Sequence, residues 1–158
     1  MSKHPAPPLN VSILSLPESG TMAAFGLHEV LGDTHRNTAA RSRPIHPTLV
    51  AQDQTAFRSS TGLYVTPEHG LDHLNADVVI VCDIHLNEGD TPEGRWQNEI
   101  AWVRKHVDAG AMVCSTCSGS VLLAEAGLLE GADAASHWSM ADLFRDRYPT
   151  VRFRPERI

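Results

Sequence analysis

Ala111-Met-Val-Cys-Ser-Thr-Cys117-Ser-Gly119-Ser-Val-Leu-Leu-Ala-Glu-Ala-Gly-Leu-Leu129 decides how this chain is read. The apolar run Ala111–Cys114 predicts a buried strand. The chain then turns on small residues, and a Leu- and Ala-rich pattern predicts a helix over about 119–127. In an open α/β sheet, ligands gather beyond the carboxyl ends of the strands, which is where Cys117 falls.

The turn carries chemistry. Unpaired N–H groups and the positive dipole end at a helix start favour thiolate over thiol. The backbone N–H of Ser118 is placed to steady a developing oxyanion. The pattern resembles a nucleophile elbow with Cys in place of Ser. Cys117 is the candidate nucleophile, with a buried structural thiol as the alternative. Cys82 and Cys114 lie within or at the end of apolar strands and read as structural, Cys114 buried in its sheet. Cys114-Ser-Thr-Cys117 also spells C-x-x-C, which raises redox or zinc use. No second C-x-x-C or closely spaced His pair completes a metal site, so no metal or other cofactor is expected.

Outward from the elbow, strand and helix patterns alternate. Asp77-Val-Val-Ile-Val-Cys82 is apolar without alternation, as a central parallel strand buried on both faces should be. Val11–Leu16, Thr48–Gln52 and Val151–Phe153 predict further strands, and 57–66 a small hairpin around Gly62. Thr21 is placed to cap a helix with Met22, Phe25, Val30 and Leu31 as its apolar face. Thr91 and Pro92 open a second helix, to about Asp108, with the stripe Trp96, Ile100, Val103 and Val107. Trp102 lies off that stripe and is a candidate for a contact surface, with a partly exposed Trp as the alternative. Ser139 and Asp142 have the reciprocal capping pattern, ahead of a face made by Met140, Leu143 and Phe144. This order predicts an α/β fold: a mainly parallel, doubly wound sheet with helices on both faces.

Composition sets the outer bounds. The chain has 158 residues, a formal charge of −6, 42% hydrophobic and 20% charged residues. That suits one globular domain over 10–158 behind a Pro-rich, mobile tail at 1–9. The acidic balance excludes a large nucleic-acid footprint on this chain. No apolar run reaches the ~18 residues that span a bilayer, so no membrane partner is expected. Three cysteines do not make a disulfide scaffold. No secretory signal is read at the start, so a cytoplasmic protein is expected.

Cys117-Ser-Gly-Ser-Val-Leu-Leu-Ala-Glu-Ala-Gly-Leu-Leu129, followed by Ala135-Ser-His-Trp-Ser139, resembles the ThiJ/PfpI superfamily, which is class I glutamine-amidotransferase-like and flavodoxin-like in fold. Within it the likeness is to the N-terminal domain of AraC-type transcription regulators of the GlxA group. Isonitrile hydratases are similar through the same Cys-x-Gly and Ser-His-Trp signatures. Gly26–Leu31, Gly62–Pro67 and Asp77–Val81 are collinear with it. The resemblance implies Cys117 as nucleophile, His137 beside it as proton carrier, and an acid from the loop after the first strand.

The chain departs from the pattern at that acid. Ala23 stands where hydratase relatives carry Asp, and Met22 or Ala23 where others carry Glu. Neither Glu18 nor His28 fits. After Val81 the family's Gly-rich turn, which supplies an oxyanion N–H, is replaced by Cys82-Asp-Ile-His85. Ile84 of this turn is counted with Cys117, Ser118, Gly119 and His137 as a ligand contact. Losing one oxyanion donor costs ~10²–10³ in rate, and losing an acid or base ~10²–10⁴. The expected function is therefore a ligand-sensing and dimerising domain of an AraC-type regulator, with a Cys-dependent hydratase or amide hydrolase as the alternative. The expected partners are a small molecule and a second copy of the chain. The resemblance also implies a last core strand, a C-terminal helix and a helix-turn-helix module. None is found here, so the domain is expected to be C-terminally truncated, with DNA contacted only through a module absent from this chain.

Overall fold

The computed structural model describes residues 7–33 and 43–157. Its centre is a four-stranded sheet in the order β2-β1-β5-β6, with β1 at Leu9–Leu14, β2 at Ile45–Val50, β5 at Val78–Val81 and β6 at Met112–Ser115. All three pairings are parallel, which is the α/β sheet the alternation predicts. Between β2 and β5, a short antiparallel pair, β3 at Phe57–Arg58 and β4 at Tyr64–Val65, forms the expected hairpin. β2 starts earlier than predicted and contains Pro47. As an outer strand it has a side on which a missing N–H is tolerated. β1 begins at Leu9, inside the stretch expected as a mobile tail, and Arg43 donates to the carbonyls of Pro7 and Pro8. The rest of that stretch, 1–6, lies outside the described residues.

Side chains alternate across the sheet into two clusters. Val11, Ile13 and Leu49 point one way and meet α1 (Thr21–Gly32). Leu14, Val50, Val79 and Val81 point the other way and meet α2 (Gln97–Asp108) and α3 (Ser120–Glu125). Helices therefore cover both faces. α1 packs chiefly on the β1–β2 half. On its face the β5–β6 half is open, and the register pairs half-buried Val78 with Met112 and Ile80 with Cys114.

Several expectations are corrected here. α1 is entered from Gly20, with no side-chain cap, and Thr21 is its first helical residue. Its contact face is Ala24 with Ala23, Leu27 and Leu31, while Met22, Phe25 and Val30 are 87%, 46% and 70% exposed. The small Ala24 side chain lets the helix approach the sheet closely, which a face built on Phe25 would prevent. α2 starts at Gln97 rather than beside Pro92, because Trp96 takes a left-handed conformation (φ 55°) that breaks the helix before it. Trp102 is 2% exposed rather than partly open. Its Nε1–H donates to the His73 carbonyl at 2.8 Å and its ring lies 4.2 Å from that of His106, so the loop before β5 covers it. β6 is an outer strand, which leaves Met112 and Cys114 exposed instead of buried.

The chain closes with β7 (Asp133–Ala134), α4 (Ala141–Arg147) and β8 (Arg152–Phe153), with β7 and β8 paired in parallel. Phe144 is buried, and Met140 and Leu143 pack behind it as predicted. The Ser139–Asp142 capping pair does not form. His137 Nδ1 accepts from the Ser139 N–H instead, and Asp142 turns to Arg145.

Candidate functional site

The elbow is built by backbone contacts. Beyond β6, the Thr116 N–H donates to the Val81 carbonyl at 2.9 Å and so continues the sheet by one residue. Cys117 then takes φ 48°, the left-handed region that a side chain rarely adopts, at the head of the 3₁₀ turn Cys117–Gly119. α3 follows at once. Strain of this kind is characteristic of functional positions. The exposed thiol stands beyond the carboxyl ends of β5 and β6.

Gly119 permits this approach. A Cβ there would lie 2.4 Å from the Cys82 carbonyl oxygen and 2.6 Å from that of Val81. Ser118 locks it. Its buried hydroxyl accepts from the Ile84 N–H at 3.0 Å and donates to the Ile84 carbonyl at 2.7 Å. Ile84 thus stands behind the elbow. Its side chain lies in the core at 2% exposure and its N–H is engaged, so it supports the site rather than lining its mouth.

Two cavities meet at Cys117. The first, of about 410 Å³, is lined by Cys117, Ser136, His137, Trp138 and Arg157 among others. The Ser136 hydroxyl donates to the Cys117 carbonyl at 3.2 Å and ties this segment to the elbow. Ser139 donates its N–H to His137 Nδ1 at 3.3 Å, and its hydroxyl lies 2.6 Å from the same nitrogen. A nitrogen that accepts carries no proton, so the neutral ring keeps its proton on Nε2 and offers a donor. No hydrogen bond joins the Cys117 thiol to His137 among the described residues.

The second cavity, of about 430 Å³, lies on the α1 side and is lined by Met22, Ala23, Asp83, His85, Thr116 and Cys117 among others. Met22 and Ala23, where the resemblance implies an acid, form an apolar wall. A carboxylate comes from the turn after β5 instead. Asp83 accepts from the Gly20 N–H at 3.1 Å, at the start of α1, and from His85 Nε2 at 2.9 Å. Glu18 is directed away, to Arg95 at 3.2 Å.

The other thiols have different surroundings. Burial, then the Asp83 charge, pushes the Cys82 thiol up to about 12. Burial also raises that of Cys114. Among the described residues no group of three His, Cys, Asp or Glu is arranged to hold a metal ion.

The structure thus brings Cys117, Ser118, Gly119 and His137 to one place, with Ile84 beneath them. Asp83, His85, Trp138 and Arg157 escape sequence reasoning. For the first two a signal exists: an Asp-x-His at the carboxyl end of the most strand-like run.

Comparison with known proteins places this geometry. The DJ-1/PfpI family matches residues 31–151. The HTH-type transcriptional regulator GbdR of Pseudomonas aeruginosa is 33% identical over 95 residues, covering 59% of this chain and 24% of that protein. The isonitrile hydratase of Pseudomonas putida is 27% identical over 135 residues, covering 85% of this chain and 55% of that one. The chain thus spans about a quarter to a half of the length of these relatives. The crystal structure of Drosophila melanogaster DJ-1beta superposes with a TM-score of 0.73 at 16% identity, over 93% of this chain and 74% of that one, and shares the fold.

Proposed function

Because the chain belongs to the DJ-1/PfpI family, we propose that its elbow serves binding rather than turnover, as the ligand-sensing domain of an AraC-type transcription regulator. The observation that carries this reading is the pairing of Ser118 with Ile84. The Ile84 N–H sits in the turn where an oxyanion donor would be needed, and the Ser118 hydroxyl already holds it at 3.0 Å. Met22 and Ala23 supply no acid on the α1 side. The likeness to GbdR supports a regulator as the parent protein. DNA contact in this reading belongs to a helix-turn-helix module of the parent protein, consistent with the −6 charge here.

A second copy of the chain is the proposed protein partner, through the exposed stripe Met22, Phe25 and Val30. The proposed compartment is the cytoplasm, where a regulator meets its DNA. No helix among the described residues is long and apolar enough to cross a membrane.

The alternative, a hydratase or hydrolase, is favoured by the left-handed Cys117 and by the likeness to the isonitrile hydratase. Here Cys117 attacks and His137 gives a proton from Nε2. One experiment separates the two. The protein is incubated with a panel of small metabolites and with an alkyl isonitrile, and thermal stabilisation and product mass are read together. A compound that raises Tm and is recovered unchanged supports sensing. Conversion that disappears in Cys117→Ala overturns it.

A further inference from the structure

The two histidines that share cavities with Cys117 hold their protons at opposite positions relative to their partners. His137 accepts at Nδ1 from the Ser139 N–H, which leaves a donor at Nε2. His85 contacts the Asp83 carboxylate through Nε2 at 2.9 Å, and a carboxylate only accepts, so the proton of His85 lies there and Nδ1 keeps an open lone pair. Asp83 is fixed in turn by the Gly20 N–H and is 14% exposed, while His85 is 62% exposed and lines the α1-side cavity. This is the order of groups that activates a nucleophile: a lone pair on the lining of the cavity that the thiol shares, and a carboxylate behind the ring to stabilise the cation that forms.

We propose that the Asp83–His85 couple is the proton acceptor of Cys117. The thiol proton moves to His85 Nδ1, directly or through one water, and the imidazolium is held by Asp83. The thiolate then forms a bond to an electrophilic carbon in the α1-side cavity. With an alkyl iodide the C–S bond forms, the C–I bond breaks, iodide leaves, and the proton on His85 passes to water. The charged groups around the couple are few. Glu18, on the loop before α1, receives the His85 backbone N–H at its carbonyl and directs its carboxylate to Arg95. Thr21, Met22 and Ala23 bring no charge from α1, and His137 and Arg157 lie on the other cavity. The proposal goes beyond ligand sensing and holds whether or not a bound molecule is turned over.

The test is iodoacetamide alkylation followed by intact mass in a Cys114→Ser background, where Cys117 is the one accessible thiol because Cys82 is fully buried. His85→Gln is expected to lower the alkylation rate at neutral pH about tenfold and move the rate–pH curve upward, with partial rescue by added imidazole. Asp83→Asn is expected to act in the same direction, and His28→Gln, at a separate cavity, to leave the rate within about twofold. A rate in His85→Gln equal to the parent's, or a larger loss in His137→Gln, overturns the proposal. His85 is largely exposed, so its variant folds and decides the outcome by itself if Asp83→Asn melts early.

Discussion

The Ser118 hydroxyl and the Ile84 backbone exchange two hydrogen bonds, at 3.0 and 2.7 Å, across 34 residues of chain. This pairing holds the turn after β5 against the elbow. Both partners are buried, so neither Ile84 group finds water if the hydroxyl is removed. Ser118→Ala is expected to destabilise the fold by about 1–3 kcal/mol, the penalty for leaving a buried polar group unpaired. A urea midpoint equal to that of the wild type would remove Ser118 from this role.

Gly119→Ala tests the closeness of the elbow to β5. The added methyl would stand 2.4 Å from the Cys82 oxygen, and that neighbour is backbone, which has little room to move. Overpacking of this kind costs about 1–3 kcal/mol or more. Thermal melting should show a lower midpoint, and the Cys117 thiol should lose its position.

Thiol titration distinguishes the three cysteines. Cys114 and Cys117 are exposed, while Cys82 is fully buried and held at about 12. An aromatic disulfide reagent should therefore label two thiols in the native protein and the third only after denaturant is added. Immediate reaction of all three would contradict the buried position of Cys82.

Near neutrality, stability should depend on His73. Burial first, then the neighbouring His69 and His106, lowers its pKa, with Asp72 opposing. The folded state therefore resists protonation more than the unfolded chain. Stability is complete above the unfolded value of about 6.5 and declines as pH falls below it. Denaturant midpoints measured from pH 7.5 to 5.5 should fall, and fall less in His73→Phe, which keeps a ring to stack on His69 at 4.4 Å.

A second acid-sensitive group works at lower pH. Burial alone would raise the Glu125 carboxyl, but hydrogen bonds from Arg147 and Tyr148 outweigh it and hold it below its ordinary value. Stability from this group is present above about 4.3 and is lost as pH falls through the folded value. Glu125→Gln should lower the urea midpoint at pH 7 and narrow its gap to the wild type near pH 3.

The legible parts of the fold are those with dense local signals. β5 and β6 stand out because four or more apolar residues in a row leave few alternatives, and the elbow because small residues follow a strand directly. The start of α2 is not legible. Pro92 suits a first helical position, yet the left-handed Trp96 sets the boundary, and that conformation accompanies burial of the indole. The face of α1 is easily misread because hydrophobicity favours Phe25 and Met22, whereas close packing selects Ala24. Asp83 and His85 stand where a glycine-rich turn is expected, and the Asp-x-His spacing is the one local sign of them. The carboxylate of Asp83 is also held by an N–H at Gly20, 63 residues earlier in the chain.

The sequence by itself determined that strands and helices alternate into a parallel sheet and that Cys117 sits at a strand-to-helix turn, because both follow from the order of neighbouring residues. Only the tertiary structure decided which side chains reach that cysteine, that Ile84 lies beneath it, and that β6 is an outer strand. Those outcomes depend on distances between segments far apart in the chain, fixed by packing and by hydrogen bonds such as Ser118 to Ile84, and short-range patterns carry no record of them.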